Sequence, residues 1–401
     1  MTWKCTNTPK GENKLYSDAK GVVPSLDLRF AEGKTLNDYM TGQQLIQFSR
    51  SSIGTYVDEN GIIQTATADT PRFDHNPTTG ESLGLLVEES RTNAIDYSET
   101  FSAPLWSNVP LGTGSNPQVT SSAEASPGLT SPTRLVCNLN GGTTSGDISY
   151  IQKTSTYTAN QTGTIYLKSN TGSNQQVYFR IGATVSIVTV TPTWQRFEVK
   201  ETSFSGGGNF NIGTRGGTGS DDSIDILIWG AQLEAGSFPT SYIPTTGTAL
   251  TRSADEVSIT GSNFSSWYNQ SEGTVFTDYK SYSLTASQQL AAFTAGVSNN
   301  SRWGVWNDQL YIAESGTQYF SSITKSTDLT KTAFAVASND AIGCQNSILT
   351  AQDTTVILPT VDNLTIGKRA SGFNQYSGHI SRLTYFPERL PDSSLQTMTT
   401  P

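Results

Sequence analysis

Alternation of apolar and polar residues is the main pattern along this chain. Between residues 94 and 245, short runs with an apolar side chain at every second position are separated by clusters of Gly, Ser, Thr and Asn. A period of two is that of a β-strand with one buried face. A spacing of roughly 10–15 residues between the runs predicts an antiparallel sandwich of the jelly-roll kind. The runs are GTIYLKS, QQVYFRIG, TWQRFEVKET, NFNIGTRGG and IDILIWGAQLE.

A second β series extends from residue 262 to the end of the chain and predicts a second sandwich. Between the two series, PTSYIPTTGTALTRSADE has two prolines and no clear period, which favours an extended linker. After the last strand, Pro391 and Asp392 precede a predicted short helix at 393–398. The runs of the second series are GTVFTDYKS, QQLAAFTAGV, SRWGVWNDQLYIA, TAFAVASN, SILTAQ, NLTIGKR and GHISRLTYFPERL.

The residues before the first series predict a tail and a docking segment. Residues 1–24 begin with a polar stretch without hydrophobic period, as expected of a tail that orders against a partner. In residues 25–93, GTYVDENGIIQTA predicts a hairpin closed at Asn60-Gly61, where a positive φ is needed. The predicted class is all-β, with two antiparallel β-sandwich domains, a jelly roll at 94–254 and a second sandwich at 255–401, after this extended N-terminal segment.

Charge and hydropathy exclude two classes of partner. Only 15% of the residues are charged and the formal net charge is −9, so a basic surface for nucleic acid is not expected. No apolar run approaches the roughly 20 residues that cross a bilayer, and the start of the chain lacks an apolar signal core. We therefore expect synthesis in a cytoplasm without membrane insertion.

Cysteine and histidine offer little chemistry. Cys5, Cys137 and Cys344 are odd in number and far apart, which argues against a disulfide framework and a CxxC metal site. We expect free thiols, with Cys137 a small core residue. His75 and His379 are the only histidines, too few for a histidine-based zinc or catalytic site.

Three long motifs resemble one family. FSRSSIGTYVDENGIIQTATADTPRFDHNPTTGESLGLLVEESRTNAIDYSETFSAPLW is similar to a segment of many phage and prophage virion proteins, in which a GLLVEESRTN lead precedes a carbohydrate-binding-module-like jelly roll. TWQRFEVKET resembles the tryptophan-arginine strand of those modules, and IWGAQLEAGSFPTSYIPTTG resembles their closing signature. The end of the chain, GHISRLTYFPERLPDSSLQTMT, resembles the concanavalin A-like or laminin-G-like sandwiches that often follow.

The resemblance implies a tail fibre, tail spike, or capsid-attached fibre or decoration protein on the virion surface. It implies contacts with other virion proteins through the N-terminal segment, a host cell-surface glycan as ligand, and a homotrimer, which would cover exposed sheet edges. The chain has no collagen-like repeat, which favours a compact spike over a long shaft. The alternatives are a capsid or tail decoration protein that acts through protein contacts, and a polysaccharide depolymerase.

A glycan site on a sandwich needs aromatic faces for stacking, with amide and carboxylate groups to fix the sugar hydroxyls. The spacing of Trp303 and Trp306 places the two indoles on opposite faces of a strand, so we expect at most one to be buried. This hairpin is the predicted contact surface, through Trp303, Trp306, Asn307, Asp308 and Tyr311. The jelly roll offers further aromatic candidates, although large aromatics in strands are more often core: Trp106, Tyr150, Tyr166, Tyr178 and Trp194.

Two acidic or charged motifs have alternative interpretations. Asp221, Asp222 and Asp225 form the densest acidic cluster, and their oxygens could hold Ca²⁺, although a solvated turn is the simpler interpretation. Arg91, at the end of GLLVEESRTN, is predicted to form a structural salt bridge to a carboxylate where the lead segment docks.

Motifs of known enzyme classes are absent from the sequence. Glu88 and Glu89 are adjacent, so on a strand their carboxylates would point to opposite faces, unlike a glycosidase pair. There is no ExDxxE, GxSxG, HExxH or P-loop motif. The sequence therefore predicts a non-enzymatic protein without a cofactor.

Overall fold

The computed structural model describes residues 12–102, 104–157, 159–284, 286–296, 300–314, 317–368 and 374–401. The part of the predicted N-terminal tail that precedes residue 12, including Cys5, lies outside the described residues. Strands dominate the described part, and all of their pairings are antiparallel. The all-β prediction is confirmed.

Helices are few and short in the described part of the chain. The last of them begins at Asp392, directly after Pro391, and confirms the predicted C-terminal helix. No described helix has the length and apolar character that crossing a bilayer requires. The helices are α1 Glu12–Asp18, α2 Phe30–Gly33, α3 Gly261–Ser265 and α4 Asp392–Met398.

The strands follow the predicted runs closely. Up to residue 252 they are β1 Leu26–Leu28, β2 Gln47–Ser49, β3 Gly54–Val57, β4 Ile63–Ala66, β5 Phe73–His75, β6 Ser82–Val87, β7 Arg91–Asn93, β8 Ser107–Leu111, β9 Gln118–Ser121, β10 Thr133–Asn138, β11 Ile148–Tyr157, β12 Gln161–Ser169, β13 Gln175–Ile181, β14 Thr184–Val190, β15 Gln195–Glu201, β16 Gly206–Arg215, β17 Ser223–Ala235 and β18 Leu250–Arg252. After it they are β19 Glu256–Thr260, β20 Glu272–Ser281, β21 Gln289–Thr294, β22 Ser301–Trp306, β23 Gln309–Glu314, β24 Thr317–Ser322, β25 Thr330–Ala337, β26 Asp340–Gln345, β27 Ile348–Leu349, β28 Asn363–Ile366 and β29 Gly378–Phe386.

The chain forms two compact units, each built from separate segments. Unit 1 contains residues up to 51, residues 68–89 and residues 254–401, and unit 2 contains residues 52–67 and 90–253. The segment predicted as a separate lead, 25–93, is thus divided between the units. The physical reason is pairing: β6 joins β29 and buries Leu85 in the core of unit 1, whereas the β3–β4 hairpin packs in unit 2.

Unit 1 is a sandwich of two antiparallel sheets. One has the strand order β27-β26-β25-β20-β29-β6-β5, with β1 also paired to β29, and the other has the order β2-β19-β28-β21-β22-β23-β24. Val275 and Tyr385 of the first sheet share an apolar core with Trp303 and Leu364 of the second. On its other face, the first sheet carries a smaller core in which Leu395 of α4 packs. Helix packing therefore covers one outer face of this sandwich.

A buried ion-pair cluster replaces apolar packing at one place in unit 1. Arg72 is fully buried and its guanidinium contacts Glu88 at 2.8 Å and Asp255 at 2.6 Å. Asp255 also contacts Arg50 at 3.0 Å. Glu88 belongs to the GLLVEESRTN motif, and its carboxylate is held by Arg72, which directly precedes β5. The motif's own arginine, Arg91, lies over the Phe238 ring at 4.8 Å.

Unit 2 has the two five-stranded antiparallel sheets expected of the predicted jelly roll. The sheet of order β15-β12-β17-β10-β9 is called the hairpin-covered sheet, and the sheet of order β14-β13-β16-β11-β8 is called the tyrosine sheet. Their inner faces share one core, to which Ile165 and Ile228 belong from the first sheet and Phe179 and Phe210 from the second. Cys137 lies in this core as a free thiol, and burial raises its pKa to about 12. The expectation for Cys137 is confirmed.

The β3–β4 hairpin packs on the outer face of the hairpin-covered sheet. Its turn has Gly61 at φ +79°, and the Asp58 side chain accepts hydrogen bonds from the backbone N–H groups of residues 60 and 62. Ile63 then packs with Trp229 and Tyr242. The predicted hairpin is confirmed, and it covers aromatic side chains of unit 2.

Candidate functional site

Trp303 lies in the core of unit 1 and has no exposed surface. Its ring stacks on Phe293 with centroids 4.1 Å apart and planes 6° from parallel, and its indole N–H donates to the Tyr268 hydroxyl at 2.9 Å. A sugar has no access to a ring in this position. The sequence allowed one buried indole in this hairpin, and Trp303 is buried.

The other residues of the predicted contact hairpin are also largely covered. Trp306 and Tyr311 lie on the opposite side of the strands from Trp303 but are buried, in an edge-to-face contact at 5.8 Å. Asn307 is buried and its amide oxygen accepts the backbone N–H of Gln288, while Asp308 forms an ion pair with Lys325 at 3.2 Å. Both indoles are buried because each face of this sheet is packed, so the expectation that at most one of them is buried is wrong. Ligand binding through these five residues stays a prediction.

The three aspartates of the acidic cluster have separate partners in unit 2. Asp225 pairs with Arg134 through two hydrogen bonds, which lower its pKa. Asp221 accepts the N–H of residue 176, and Asp222 accepts the N–H of residue 141. Nowhere in the described ranges do three or more His, Cys, Asp or Glu side chains converge as a metal site. Each carboxylate thus fixes a different turn or strand, and Ca²⁺ binding by these three residues stays a prediction.

Three of the jelly-roll aromatics serve packing. Trp106 is fully buried in the core, in contact with Phe101 and Phe210. Tyr166 and Trp194 lie on the outer face of the hairpin-covered sheet, where the β3–β4 hairpin packs. The Trp194 indole donates to a backbone carbonyl at residue 125. These side chains stabilise the fold at faces that the chain itself covers.

Tyr150 and Tyr178 come together on the outer face of the tyrosine sheet. Val177 and Phe179 point into the core, so strand alternation places Tyr178 on the opposite face. The two rings are nearly parallel, with an interplanar angle of 9° and centroids 5.9 Å apart. Both rings pack in a small cluster with Ile148. No residue of the β3–β4 hairpin belongs to this cluster. The sequence proposed both residues as candidates, and the structure makes them a pair.

A glycine between the two strands allows the tyrosines to approach each other. Gly213 of β16 lies opposite Tyr150 of β11 on one side and Tyr178 of β13 on the other. A Cβ atom at this glycine would be 2.4 Å from Cα of Tyr150, far inside a normal contact. The missing side chain therefore leaves the space that the two rings share.

Polar side chains border this pair on the same face. Asn211 of β16 lies between its cross-strand neighbours Arg180 of β13 and Gln152 of β11. Arg215 lies on β16 at the other side of Gly213 from Asn211. Asn211 is fully buried, and its Nδ2 donates to Gln152 at 3.2 Å. The face thus combines aromatic rings with amides and guanidinium groups, which are the groups that protein sites use to hold polar ligands.

Two buried oxygens on this face have no hydrogen-bond partner among the described residues. They are the hydroxyl of Tyr178 and Oδ1 of Asn211, and both side chains are fully buried. A buried polar group without a partner costs about 1–3 kcal/mol. The described residues hold others elsewhere, such as the Tyr279 hydroxyl and Oε1 of Gln289, but the oxygens of Tyr178 and Asn211 share one face with the stacked tyrosines. Tyr178 lies opposite Gly213, two residues from Asn211 along β16, so the two oxygens are close together on one face. We therefore take the outer face of the tyrosine sheet as the candidate binding surface.

Part of this surface is predictable from the sequence. The sequence indicates Tyr150 and Tyr178 but not Asn211, Gly213 or the two arginines, because their common position depends on how β11, β13 and β16 pair. The available signal was local: NFNIGTRGG and QQVYFRIG both place a polar or aromatic residue at alternate positions of a strand whose other face is apolar.

No protein-family model and no curated protein matches the chain. The solved structures found to be similar to this chain cover part of it. The CBM40 domain of the Ruminococcus gnavus IT-sialidase, bound to α2,3 sialyllactose, is 17% identical over 33% of this chain and 84% of its own, with a TM-score of 0.29. Domain 4 of AbnA, a GH43 arabinanase from Geobacillus stearothermophilus, is 12% identical over 41% of this chain and 83% of its own, with a TM-score of 0.32. The K499G NanB sialidase from Streptococcus pneumoniae is 16% identical over 35% of this chain and 26% of its own, with a TM-score of 0.30.

Proposed function

We propose that this chain is a non-enzymatic glycan-binding protein of a phage virion surface, and that the outer face of the tyrosine sheet binds the glycan. The observation that carries the binding proposal is the pair of unpartnered buried oxygens on Tyr178 and Asn211. Both oxygens are closed to solvent, so the proposal requires a neighbouring side chain to move when a saccharide binds. A sugar hydroxyl donates and accepts hydrogen bonds, and one saccharide can then satisfy both groups. The proposed binding surface is thus in the jelly roll, whereas the sequence predicted the hairpin that contains Trp303.

The composition of the face supports binding without catalysis. Hydrolysis of a glycosidic bond generally needs two carboxylates about 5–10 Å apart. The alternate positions of β8, β11, β13, β14 and β16 on this side contain no Asp or Glu. Amides and aromatic rings in their place suit recognition of hydroxyls and C–H surfaces.

The virion location rests on the sequence motifs alone. GLLVEESRTN and IWGAQLEAGSFPTSYIPTTG resemble phage and prophage virion proteins, and that resemblance suggests assembly as a homotrimer attached to other virion proteins through the N-terminal segment. Light scattering of the purified chain tests this part of the proposal. A trimer supports the spike or fibre, and a monomer contradicts it.

The binding proposal is tested by a glycan array followed by titration calorimetry of the full chain. Tyr178→Phe deletes only the unpartnered hydroxyl and should weaken binding about fivefold or more, while the melting temperature stays equal or rises. Tyr166→Phe is the matched control, because Tyr166 is a tyrosine of the same unit on the hairpin-covered sheet. It should bind as the unaltered chain does.

Three outcomes decide between the functions. Binding that Tyr178→Phe weakens and Tyr166→Phe does not supports the proposed surface. Absence of glycan binding by the full chain overturns it and favours the decoration protein, whose partners are virion proteins. Release of reducing ends from host polysaccharide overturns the non-enzymatic part and favours the depolymerase.

A further inference from the structure

The tyrosine sheet carries two arginines whose positive charges are not balanced by carboxylates. Arg180 and Arg215 form no ion pair within the described part of the chain, whereas Arg29, Arg72 and Arg134 each contact a carboxylate at 3.0 Å or less. The chain as a whole has a formal net charge of −9. The tyrosine sheet therefore carries a local positive charge on a chain whose net charge is negative.

Backbone carbonyls orient both guanidinium groups. Nε of Arg180 donates to the carbonyl of residue 182 at 2.8 Å, and Nε of Arg215 donates to the carbonyl of residue 145 at 2.9 Å. These bonds use one N–H of each side chain and leave the terminal amino groups for another acceptor. Each arginine is half-buried, so a charge pair formed here is less screened than one on an open surface.

The two arginines border the same tyrosine pair. Arg180 lies two residues after Tyr178 on β13. Arg215 lies two residues after Gly213 on β16, and because β13 and β16 are antiparallel the two arginines flank the tyrosine pair on opposite sides. Burial raises the pKa of Tyr150, as does Tyr178, while the charges of Arg215 and Arg180 act in the opposite sense. Both guanidinium groups therefore act on the space around Tyr150.

We infer that the ligand of this face is an acidic saccharide with one carboxylate bound by Arg180 and a second carboxylate bound by Arg215, and with Asn211 and Tyr178 taking its hydroxyls. The inference rests on the proposed glycan binding and adds the chemical class of the glycan. Arginine presents donors in a planar fork that matches a carboxylate, so it selects an acidic sugar over its neutral counterpart.

The experiment compares acidic polysaccharides with the same polymers after carboxyl reduction, which converts each carboxylate to a primary alcohol. Oligogalacturonate and hyaluronan oligosaccharides are the probes, beside every acidic glycan that the array identifies. Carboxyl reduction should weaken binding to the full chain about tenfold or more. Raising the salt concentration from about 0.05 M to about 0.5 M should weaken it severalfold for the acidic form.

Variants separate a specific contact from general charge. Arg180→Gln and Arg215→Gln should each weaken binding of the acidic glycan about tenfold or more and leave its carboxyl-reduced form unaffected. Arg134→Gln is the matched control, because it removes one positive charge from the same unit at an arginine already paired with Asp225. It should leave affinity unchanged.

The outcomes distinguish this inference from the proposed function. Glycan binding that is insensitive to carboxyl reduction or to both arginine substitutions overturns the acidic ligand and leaves glycan binding standing. Binding that Arg134→Gln weakens as much as Arg180→Gln also overturns it, because the effect is then one of net charge. Absence of binding to any saccharide overturns both.

Discussion

The guanidinium of Arg72 lies 2.6 Å from a carboxylate oxygen of Asp255, although 183 residues separate them in the chain. Arg72 also holds Glu88, and Asp255 also holds Arg50. These four residues lie close to the ends of the three segments that build unit 1. The cluster therefore ties together the places where the chain leaves this unit and returns to it.

We expect Arg72→Met to destabilise unit 1 by about 3–5 kcal/mol, because it leaves the carboxylates of Glu88 and Asp255 buried without their shared cation. Urea unfolding, followed by tryptophan fluorescence, measures the effect. Arg134→Met is the control, since its ion pair with Asp225 is partly exposed and should contribute only about 0–1 kcal/mol. Equal effects of the two substitutions would contradict a structural role for the buried cluster.

Asp278 should make unit 1 less stable as the pH rises through the range from about 4 to about 6. Burial raises the pKa of its carboxyl from 3.8 to about 6, against the opposing charges of Lys331 and Arg382. Within that range the unfolded chain loses the proton that the folded chain keeps, so folding becomes less favourable as the pH increases. Above about pH 6, Asp278 is ionised in both the folded and the unfolded chain, so its destabilising contribution no longer changes with pH.

The substitution Asp278→Asn removes this titration. Relative to the unaltered chain, it should stabilise the protein by about 1–3 kcal/mol at pH 7.5 and have little effect at pH 3.5, below both pKa values. Denaturant unfolding at the two pH values measures the difference. The same stability change at both would show that Asp278 does not resist ionisation in the folded chain.

Gly213→Ala should disturb the tyrosine pair. The new methyl group would lie 2.4 Å from Cα of Tyr150, so strands β11 and β16 must separate locally, at a cost of about 1–3 kcal/mol. Gly207→Ala is the control on the same strand, because a Cβ there has no atom within 4 Å. Thermal unfolding measures stability, and near-ultraviolet circular dichroism reports the tyrosine environment. Equal behaviour of the two variants would contradict the close approach at Gly213.

The sequence predicted most of the fold but only Tyr150 and Tyr178 of the candidate site, for a physical reason that separates the two. Alternation along a strand is a local property, so β13 and β16 were predictable from QQVYFRIG and NFNIGTRGG. A site on a sheet face depends on register between strands that are far apart in the chain. Gly213 meets Tyr150 and Tyr178 only through such pairing, and a lone Gly in a strand gave no indication of it.

The same distinction explains why both Trp303 and Trp306 are buried, where the sequence predicted at most one buried indole. Period-two alternation placed Trp303 and Trp306 on opposite faces, and the structure agrees, but it covers both faces of that sheet. Trp303→Ala should therefore destabilise unit 1 by about 3–5 kcal/mol, through the lost packing on Phe293 and the cavity left behind, and it should leave the affinity for the glycan bound by the tyrosine sheet unchanged. Calorimetric unfolding and glycan titration of the same variant measure both effects. A hairpin that contacts ligand predicts the reverse, with affinity lost and stability kept, so a single substitution decides which of the two surfaces binds.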